Sequence, residues 1–396
     1  MFFALESNMM KPYYDVVIIG GGIHGAGVAQ ASAAAGYSVL LLEKNEIGSG
    51  TSRKSSKLIH GGLRYLETAQ FSLVRECLTE RHYLLDNAPH LVEMKPFYFP
   101  VYKQTTRRPL QLWLGLSLYT ALAGFRKQTA FRRLKTKSWD KLDGLSTRNL
   151  EAVFQYWDAQ TNDQLLTKAV LNSAKDLGAD AAERAELDSA ERLDSEWLIR
   201  YHINATQQEV RARCIVNAAG PWVNEVIKRI TPDDSGMAVD LVQGTHIVLA
   251  EETAQGIYYV ESPQDKRAIF VMPWYGQTLV GTTEKMYEGD PAKVSPTAEE
   301  ENYLLSTVSQ YFPKFNQASI QQSFAGLRVL PCQQGAAFSR PRETTIYADK
   351  TNTCFSIYGG KLTAYRATSA SVMDRLKKIL PVRKQIADTR YLKLPE

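Results

Sequence analysis

Three glycines and a glutamate carry the first legible chemistry. Gly20, Gly22 and Gly25 stand in G-x-G-x-x-G spacing after the apolar run DVVII, and Glu43 closes a second run, SVLLL. The set suits a dinucleotide. Gly20 permits a tight turn, Gly22 removes the Cβ that would block a pyrophosphate, and Gly25 lets helix and strand approach, while the helix N-terminus offers partial positive charge. Glu43 is placed to accept hydrogen bonds from the adenosine ribose hydroxyls, which argues against a 2′-phosphate and hence against NADP. Residues 51 to 67, TSRKSSKLIHGGLRYLE, gather hydroxyls, two lysines, His60, a Gly-Gly pair and Arg64-Tyr65 in a stretch too polar for an ordinary core strand.

The elements that must position these residues follow from periodicity. DVVII, the glycine turn, the small-residue helix AGVAQASAAAG and SVLLL form a βαβ unit. FSLVRECLTERHYLL and LLTKAVLNSAKDL space their apolar residues as helices. Strands are expected around 181–187 and 196–203 and in RARCIVNAAG, 211–220, whose carboxyl end falls where open α/β sheets bind ligands. Residues 237–285 alternate as a largely antiparallel sheet (THIVLA, IYYVES, AIFVMPW, TLVGTT). The chain then returns to a strand, CFSIY, the pair Gly359-Gly360, and a helix expected to begin at Lys361.

A dinucleotide part interrupted by sheet segments makes two domains from alternating pieces. The boundaries read as 11–90, 151–225 and 326–390 for the cofactor domain, and 91–150 with 226–325 for a substrate domain. A nicotinamide dehydrogenase would repeat βαβ units for a second mononucleotide half. This chain instead adds glycine-bearing strand ends at Gly220 and Gly359-Gly360, and a helix N-terminus there would favour negative charge on a reduced flavin. FAD fits better than NAD.

The ordered motifs IIGGGIHGAG, TSRKSSKLIHGGLRYLE, NAAGPWV, QGTHIVL, FVMPW, GTTE, AGLRVL and YGGKLTAYR cover about 15 to 390. In these the chain resembles the FAD-dependent (aerobic, respiratory) glycerol-3-phosphate dehydrogenases, within the D-amino-acid-oxidase-like flavoproteins. The resemblance implies an α/β fold: a Rossmann-like FAD domain of glutathione-reductase/D-amino-acid-oxidase type with an inserted, mainly antiparallel β-sheet substrate domain. It implies non-covalent FAD, hydride transfer from C2 of sn-glycerol 3-phosphate to flavin N5 giving dihydroxyacetone phosphate, and electrons passed to the quinone pool. Family members usually carry a further helical C-terminal domain, which this sequence, ending at Glu396, is expected to lack; a homodimer stays open. Two positions depart from the family pattern: Val329 stands where Arg-Pro-Leu is usual, and Glu284 where an Asp often follows Gly-Thr-Thr.

The implied reaction sets the residue roles. Phosphate favours Arg, whose planar fork makes paired hydrogen bonds, so Arg64 and Arg328 are the first substrate ligands, with Arg340 third and Tyr65 beside Arg64. Proton removal needs a group titrating near neutrality. His246 is the preferred base, and His60 sits beside the flavin or takes the proton instead. His24, His82, His90 and His202 show no catalytic setting. Lys361 pairs with the substrate oxygen or the flavin. For the cofactor, Gly20, Gly22, Gly25 and Glu43 hold the adenosine and pyrophosphate ends, Thr51, Ser52, Ser56 and Leu58 run beside pyrophosphate, ribityl chain and ring, and the backbone of Leu187 meets the adenine. Ala219, Gly220, Gly360, Lys361, Leu362 and Thr363 complete the pocket.

Composition bounds the alternatives. With 396 residues, 44% hydrophobic and 22% charged, the chain is an ordinary globular protein. Its four cysteines show neither C-x-x-C nor Cys/His spacing, so no metal site and no redox dithiol is expected. The start lacks the pattern of a secretory signal, which points to the cytoplasm. Between Lys103 and Lys141 ten basic residues face one acid, Asp140, around the uncharged stretch LQLWLGLSLYTALAGF. That stretch is short of the roughly 20 residues of a spanning helix, so it reads as peripheral, lying on the inner face of the cytoplasmic membrane. Nucleic acid is set aside because no recognition fold accompanies the charge. The competing functions are a flavin oxidase or dehydrogenase of another 2-hydroxy acid or amine, and a non-catalytic flavin-binding membrane module.

Overall fold

The structure, a computed structural model, describes residues 11–124, 129–232, 236–332 and 344–396. Two sheets organise it, of nine and ten strands among the described residues. In the first, the Tyr13–Ile19 strand lies between Thr206–Asn217 and Val39–Glu43, all parallel. Cys354–Tyr358 adds parallel to Thr206–Asn217 on one side, and Asp180–Glu183 to Val39–Glu43 on the other. The central strand is buried at every position from Tyr14 to Ile19, as expected when helices cover both faces of a parallel sheet. The helix Ile23–Ala34 is rich in Ala and Gly and buried almost all round, because it packs against the Asp163–Asp176 and Tyr365–Leu376 helices as well as the sheet.

The second sheet is mainly antiparallel. Val239–Leu249 pairs with Ile320–Pro331 and Gln277–Gly281, and Val92–Tyr102 with Leu150–Thr161. The exception is Ile257–Glu261, which meets Val92–Tyr102 in parallel. Leu150–Thr161 and Ile320–Pro331 therefore belong to this sheet, so the expected boundaries at 151 and 326 fall within its strands. Ile230–Thr231 pairs instead with Ala185–Leu193 of the first sheet.

Three local expectations are corrected. The C-terminal helix starts at Tyr365, not Lys361; residues 361–364 form a turn closed by Ala364 N–H donating to Lys361 O at 3.2 Å. The strand expected over 181–187 is two, Asp180–Glu183 and Ala185–Leu193, broken where Arg184 takes φ 54°. Within the polar stretch 51–67, Leu58–Ile59 forms a short strand against Ala159 and Gln160. That pairing passes the chain from the first sheet to the second.

The basic apolar segment contains the helix Pro109–Leu122. Leu112, Leu116 and Tyr119 are buried in the core of the second sheet, while Leu110, Trp113, Leu114 and Leu118 face outward. No helix among the described residues is long and apolar enough to cross a membrane.

Candidate active site

A cavity of about 1140 Å³ runs between the two sheets. It exceeds the roughly 300–1,000 Å³ typical of small-molecule sites, leaving room for a large cofactor and a second ligand.

One end is made of backbone. The carboxyl ends of neighbouring parallel strands meet there: Gly20 N–H donates to Leu42 O at 2.8 Å, and Ala218 N–H to Ile19 O at 2.8 Å. Gly20 takes φ +107°, and a Cβ on it would lie 2.7 Å from Ala218 O. Gly25 does not line the cavity. A Cβ there would fall 1.9 Å from Gly20 O, so its part is to let helix and turn close together. The Ile23–Ala34 helix has no side-chain cap on Gly22 and no acid in its first turn, which leaves the N-terminal amides beyond Ile23 available to a diphosphate. Ile23 N–H reaches Ser52 Oγ at 2.9 Å. Glu43 Oε2 accepts from Gly21 N–H at 2.6 Å and Oε1 from Asn45 N–H at 2.8 Å, fixing a carboxylate on the cavity wall with lone pairs to spare for a ribose. These features fit FAD: an uncapped helix start, a glycine cradle and a held acid, with further cavity beyond.

The rest of the cofactor set lines the same cavity. Gly22, Thr51, Ser52, Ser56, Leu58, Leu187, Ala219, Gly220, Gly360, Lys361, Leu362 and Thr363 are all brought to it. Besides Ser52, further hydroxyls are engaged by protein: Thr51 Oγ1 donates to Leu327 O at 2.9 Å, Thr363 Oγ1 accepts from His60 N–H at 3.2 Å, and Ser56 Oγ lies 3.0 Å from His246 Nε2. His24, which from sequence shows no catalytic setting, also lines the cavity. Its imidazole abuts Gly360, where a Cβ would meet Nε2 at 2.0 Å. Burial holds it neutral, pushing its pKa down to about 4.

The other end is made of side chains from separate elements. His246, on Val239–Leu249, is 2% exposed and stacks on Phe324 of the neighbouring strand, centroids 5.0 Å apart and planes 13°. Its close seat requires glycine opposite: a Cβ on Gly281 would lie 2.1 Å from the ring. Nε2 lies 3.0 Å from Ser56 Oγ, and Nδ1 is buried with no hydrogen-bond partner. Burial, then the positive charges of Lys57 and Arg328, push its pKa down to about 3. His60 is likewise lowered, first by burial, with Asp158 pulling the other way.

Arg328 lies near the middle of this end. Its guanidinium reaches Glu284 Oε1 at 3.4 Å and Thr283 O at 3.1 Å. Arg267 pairs with the same carboxylate, Nη2 to Oε2 at 2.8 Å. Burial holds Arg328 below its usual range; Glu284 opposes this, and Arg267 and Arg64 add to it. Arg64 has no ion-pair partner among the described residues and lies over the Tyr65 ring at 5.5 Å, with Lys361 Nζ over the same ring at 4.6 Å. Arg340, the third expected phosphate ligand, lies outside the described residues. Sequence reasoning missed Arg267, which adjoins the FVMPW motif without belonging to it. It noted Glu284 only as a departure from the family pattern. Two arginines on one carboxylate, with Arg64 close enough to act on Arg328, leave net positive charge suited to a multiply charged anion.

Fold and cavity together define a two-sheet flavoprotein oxidoreductase, with a dinucleotide cradle at one end and a cationic, histidine-bearing chamber at the other. Residues 15–366 match the family described as FAD dependent oxidoreductase. The D-erythritol 1-phosphate dehydrogenase of Brucella abortus is 38% identical over 93% of this chain and 74% of its own length. The glycerol-3-phosphate dehydrogenase of Pseudomonas aeruginosa is 36% identical over 94% of this chain and 73% of its own. Among solved structures, the glycerol-3-phosphate dehydrogenase of Bacillus halodurans complexed with FAD superposes with TM-score 0.78 at 26% identity, covering 98% of this chain and 68% of that one. The chain belongs to the FAD dependent oxidoreductase family, in the branch that includes the glycerol-3-phosphate dehydrogenases, and FAD is its cofactor.

Proposed function

We propose that the protein oxidises the secondary alcohol of a polyol phosphate, sn-glycerol 3-phosphate to dihydroxyacetone phosphate, and passes the electrons to quinone. The observation that carries this reading is the convergence of Arg64, Arg267 and Arg328 on the chamber that also holds His246, His60 and Lys361. When bound, FAD supplies the hydride acceptor. The arginines hold the phosphate dianion, and Lys361 and Tyr65 orient the alcohol. Neutral His246, its Nε2 3.0 Å from Ser56 Oγ, takes the hydroxyl proton as the C2 hydrogen leaves with its electron pair. Phosphate bound at Arg328 cancels one of the charges that depress His246, so the substrate strengthens its own base.

A four-carbon substrate is the second reading, favoured by the likeness to an erythritol-phosphate enzyme and by the size of the cavity. The two are separated by adding sn-glycerol 3-phosphate or D-erythritol 1-phosphate to the yellow holoenzyme without oxygen. The substrate bleaches the flavin with the higher kcat/KM, and a spectrum unchanged by either sinks both readings.

Contact with the inner face of the cytoplasmic membrane is part of the same proposal. Leu110 is 69% and Leu114 56% exposed on the Pro109–Leu122 helix, and Trp113 touches Phe131 at 6.3 Å, next to the exposed Arg132 and Arg133. An apolar face with a basic rim suits an anionic lipid surface. Flotation with anionic vesicles should weaken in a Trp113→Ser, Leu114→Ser double variant.

A further inference from the structure

The substrate-facing residues His60, Arg64 and Tyr65 hang on a turn whose middle amide is gripped from behind. Gly61 N–H donates to Tyr119 Oη at 2.9 Å and approaches Asp158 Oδ1 at 3.3 Å. The Tyr119 hydroxyl donates onward to Asp158 Oδ2 at 2.7 Å, and Arg81 pairs with Asp158 while also donating to Trp157 O at 3.2 Å. Tyr119 and Asp158 are each 1% exposed and Arg81 4%. There is no slack at the amide: a Cβ on Gly61 would lie 2.4 Å from Tyr119 Oη and 2.5 Å from Leu78. Next to it Gly62 takes φ +73°, and a Cβ there would strike the Tyr65 ring at 2.3 Å.

Three elements distant in sequence thus meet behind one backbone N–H, two touching it and the third holding Asp158. Arg81 comes from the helix Phe71–Asn87, Tyr119 from Pro109–Leu122 and Asp158 from Leu150–Thr161. An ion pair this deep is poor at adding stability, since desolvation consumes most of its attraction. What it fixes is orientation. The phenol stays protonated, because burial and then Asp158 raise its pKa well above the ordinary value, so it always donates to the carboxylate and always offers Gly61 a lone pair.

We propose that Tyr119 is a positioning residue for the substrate: its hydroxyl, locked by Asp158 and Arg81, sets the Gly61 amide and thereby the placement of Arg64 at the phosphate and Tyr65 at the alcohol. The inference rests on the assignment of Arg64 to the substrate phosphate. It has a structural corollary: the hydroxyl comes from the same helix whose opposite face carries Leu110 and Leu114, so the seating of that helix is felt at the substrate turn.

The test is a double-mutant cycle on the holoenzyme with Tyr119→Phe and Arg64→Ala, read as KM and kcat for the polyol phosphate, Kd for inorganic phosphate from the flavin absorbance change, and flavin content. Tyr119→Phe should raise KM and the phosphate Kd about tenfold with kcat within about threefold and full flavin content. In the Arg64→Ala background it should add less than about twofold. Equal effects in both backgrounds, or a fall in flavin content matching the rise in KM, would overturn the inference. Should Tyr119→Phe not fold, Asp158→Asn, which keeps the shape and an acceptor for the phenol, must show the same non-additivity with Arg64→Ala. A wild-type enzyme inert to every polyol phosphate sinks the functional reading alone; the phosphate Kd values then still decide the role of Tyr119.

Discussion

The two ends of the cavity are built by different rules. The cofactor end is mostly backbone: glycines, strand ends and a helix start, whose core is contiguous from Asp15 to Glu43, with Glu43 held by the amides of Gly21 and Asn45. The chamber end is mostly side chains that arrive from separate elements, as Arg267 does from the turn before Ala268–Trp274 and Arg328 from Ile320–Pro331 at Glu284. Binding a cofactor of fixed shape asks for room and amide dipoles, which local sequence can encode. Binding and oxidising a small anion asks for charges at set distances, which only the assembled second sheet provides.

The largest expected effect probes the first end. Gly25→Ala puts a methyl 1.9 Å from Gly20 O, and backbone cannot yield as a flexible side chain would. The variant should purify colourless or fail to fold, checked by the flavin-to-protein absorbance ratio. A yellow Gly25→Ala protein would refute the view that backbone closeness makes the cradle.

The second expected effect belongs to the chamber. Arg267→Ala should keep its flavin and lose turnover, because it removes a charge-assisted contact and leaves Glu284 under-paired, a loss of about 2–3 kcal/mol or about 30- to 150-fold in kcat/KM. Arg328→Ala should cost at least as much, since Arg328 also adjoins Thr283 O. If either variant loses flavin as well as activity, the two ends are not separable.

This division explains what the sequence disclosed. The glycine spacing, the strand before it and Glu43 are contiguous, so the βαβ unit and its ligand were legible from Asp15 to Glu43. Composition and spacing alone could say little about the chamber; His246, Arg328 and Lys361 were legible through the resemblance in ordered motifs. Arg267 escaped because its meaning comes from Glu284, seventeen positions away and joined to it only when Ala268–Trp274 pairs with Gln277–Gly281. Tyr119 escaped for a like reason: within an apolar helix it reads as one more core aromatic until Gly61 is brought to its hydroxyl. The Lys361 helix start was misjudged because two glycines look like a boundary, whereas φ +74° and +113° at Gly359 and Gly360 serve a turn that runs on to Ala364.

The smallest expected effect concerns His246, where the ends meet through Ser56. Its folded pKa of about 3 lies below the 6.5 of an unfolded histidine. Above pH 6.5 both states are neutral and the full stability is present. As pH falls from 6.5 toward 3 the unfolded state binds a proton that the folded state refuses, so stability is lost at up to about 1.4 kcal/mol per pH unit. His24, lowered to about 4, acts in the same direction over the upper part of that window. His246→Gln should therefore show a smaller fall in Tm between pH 7 and pH 5 than the parent holoenzyme, by about 2 °C at about 1 °C per kcal/mol for a chain of this size. The slope contributed by His24 should survive. An unchanged pH slope in His246→Gln would mean the imidazole titrates in the folded state near its unfolded value, and the depression of His246 by burial and by Lys57 and Arg328 would be refuted.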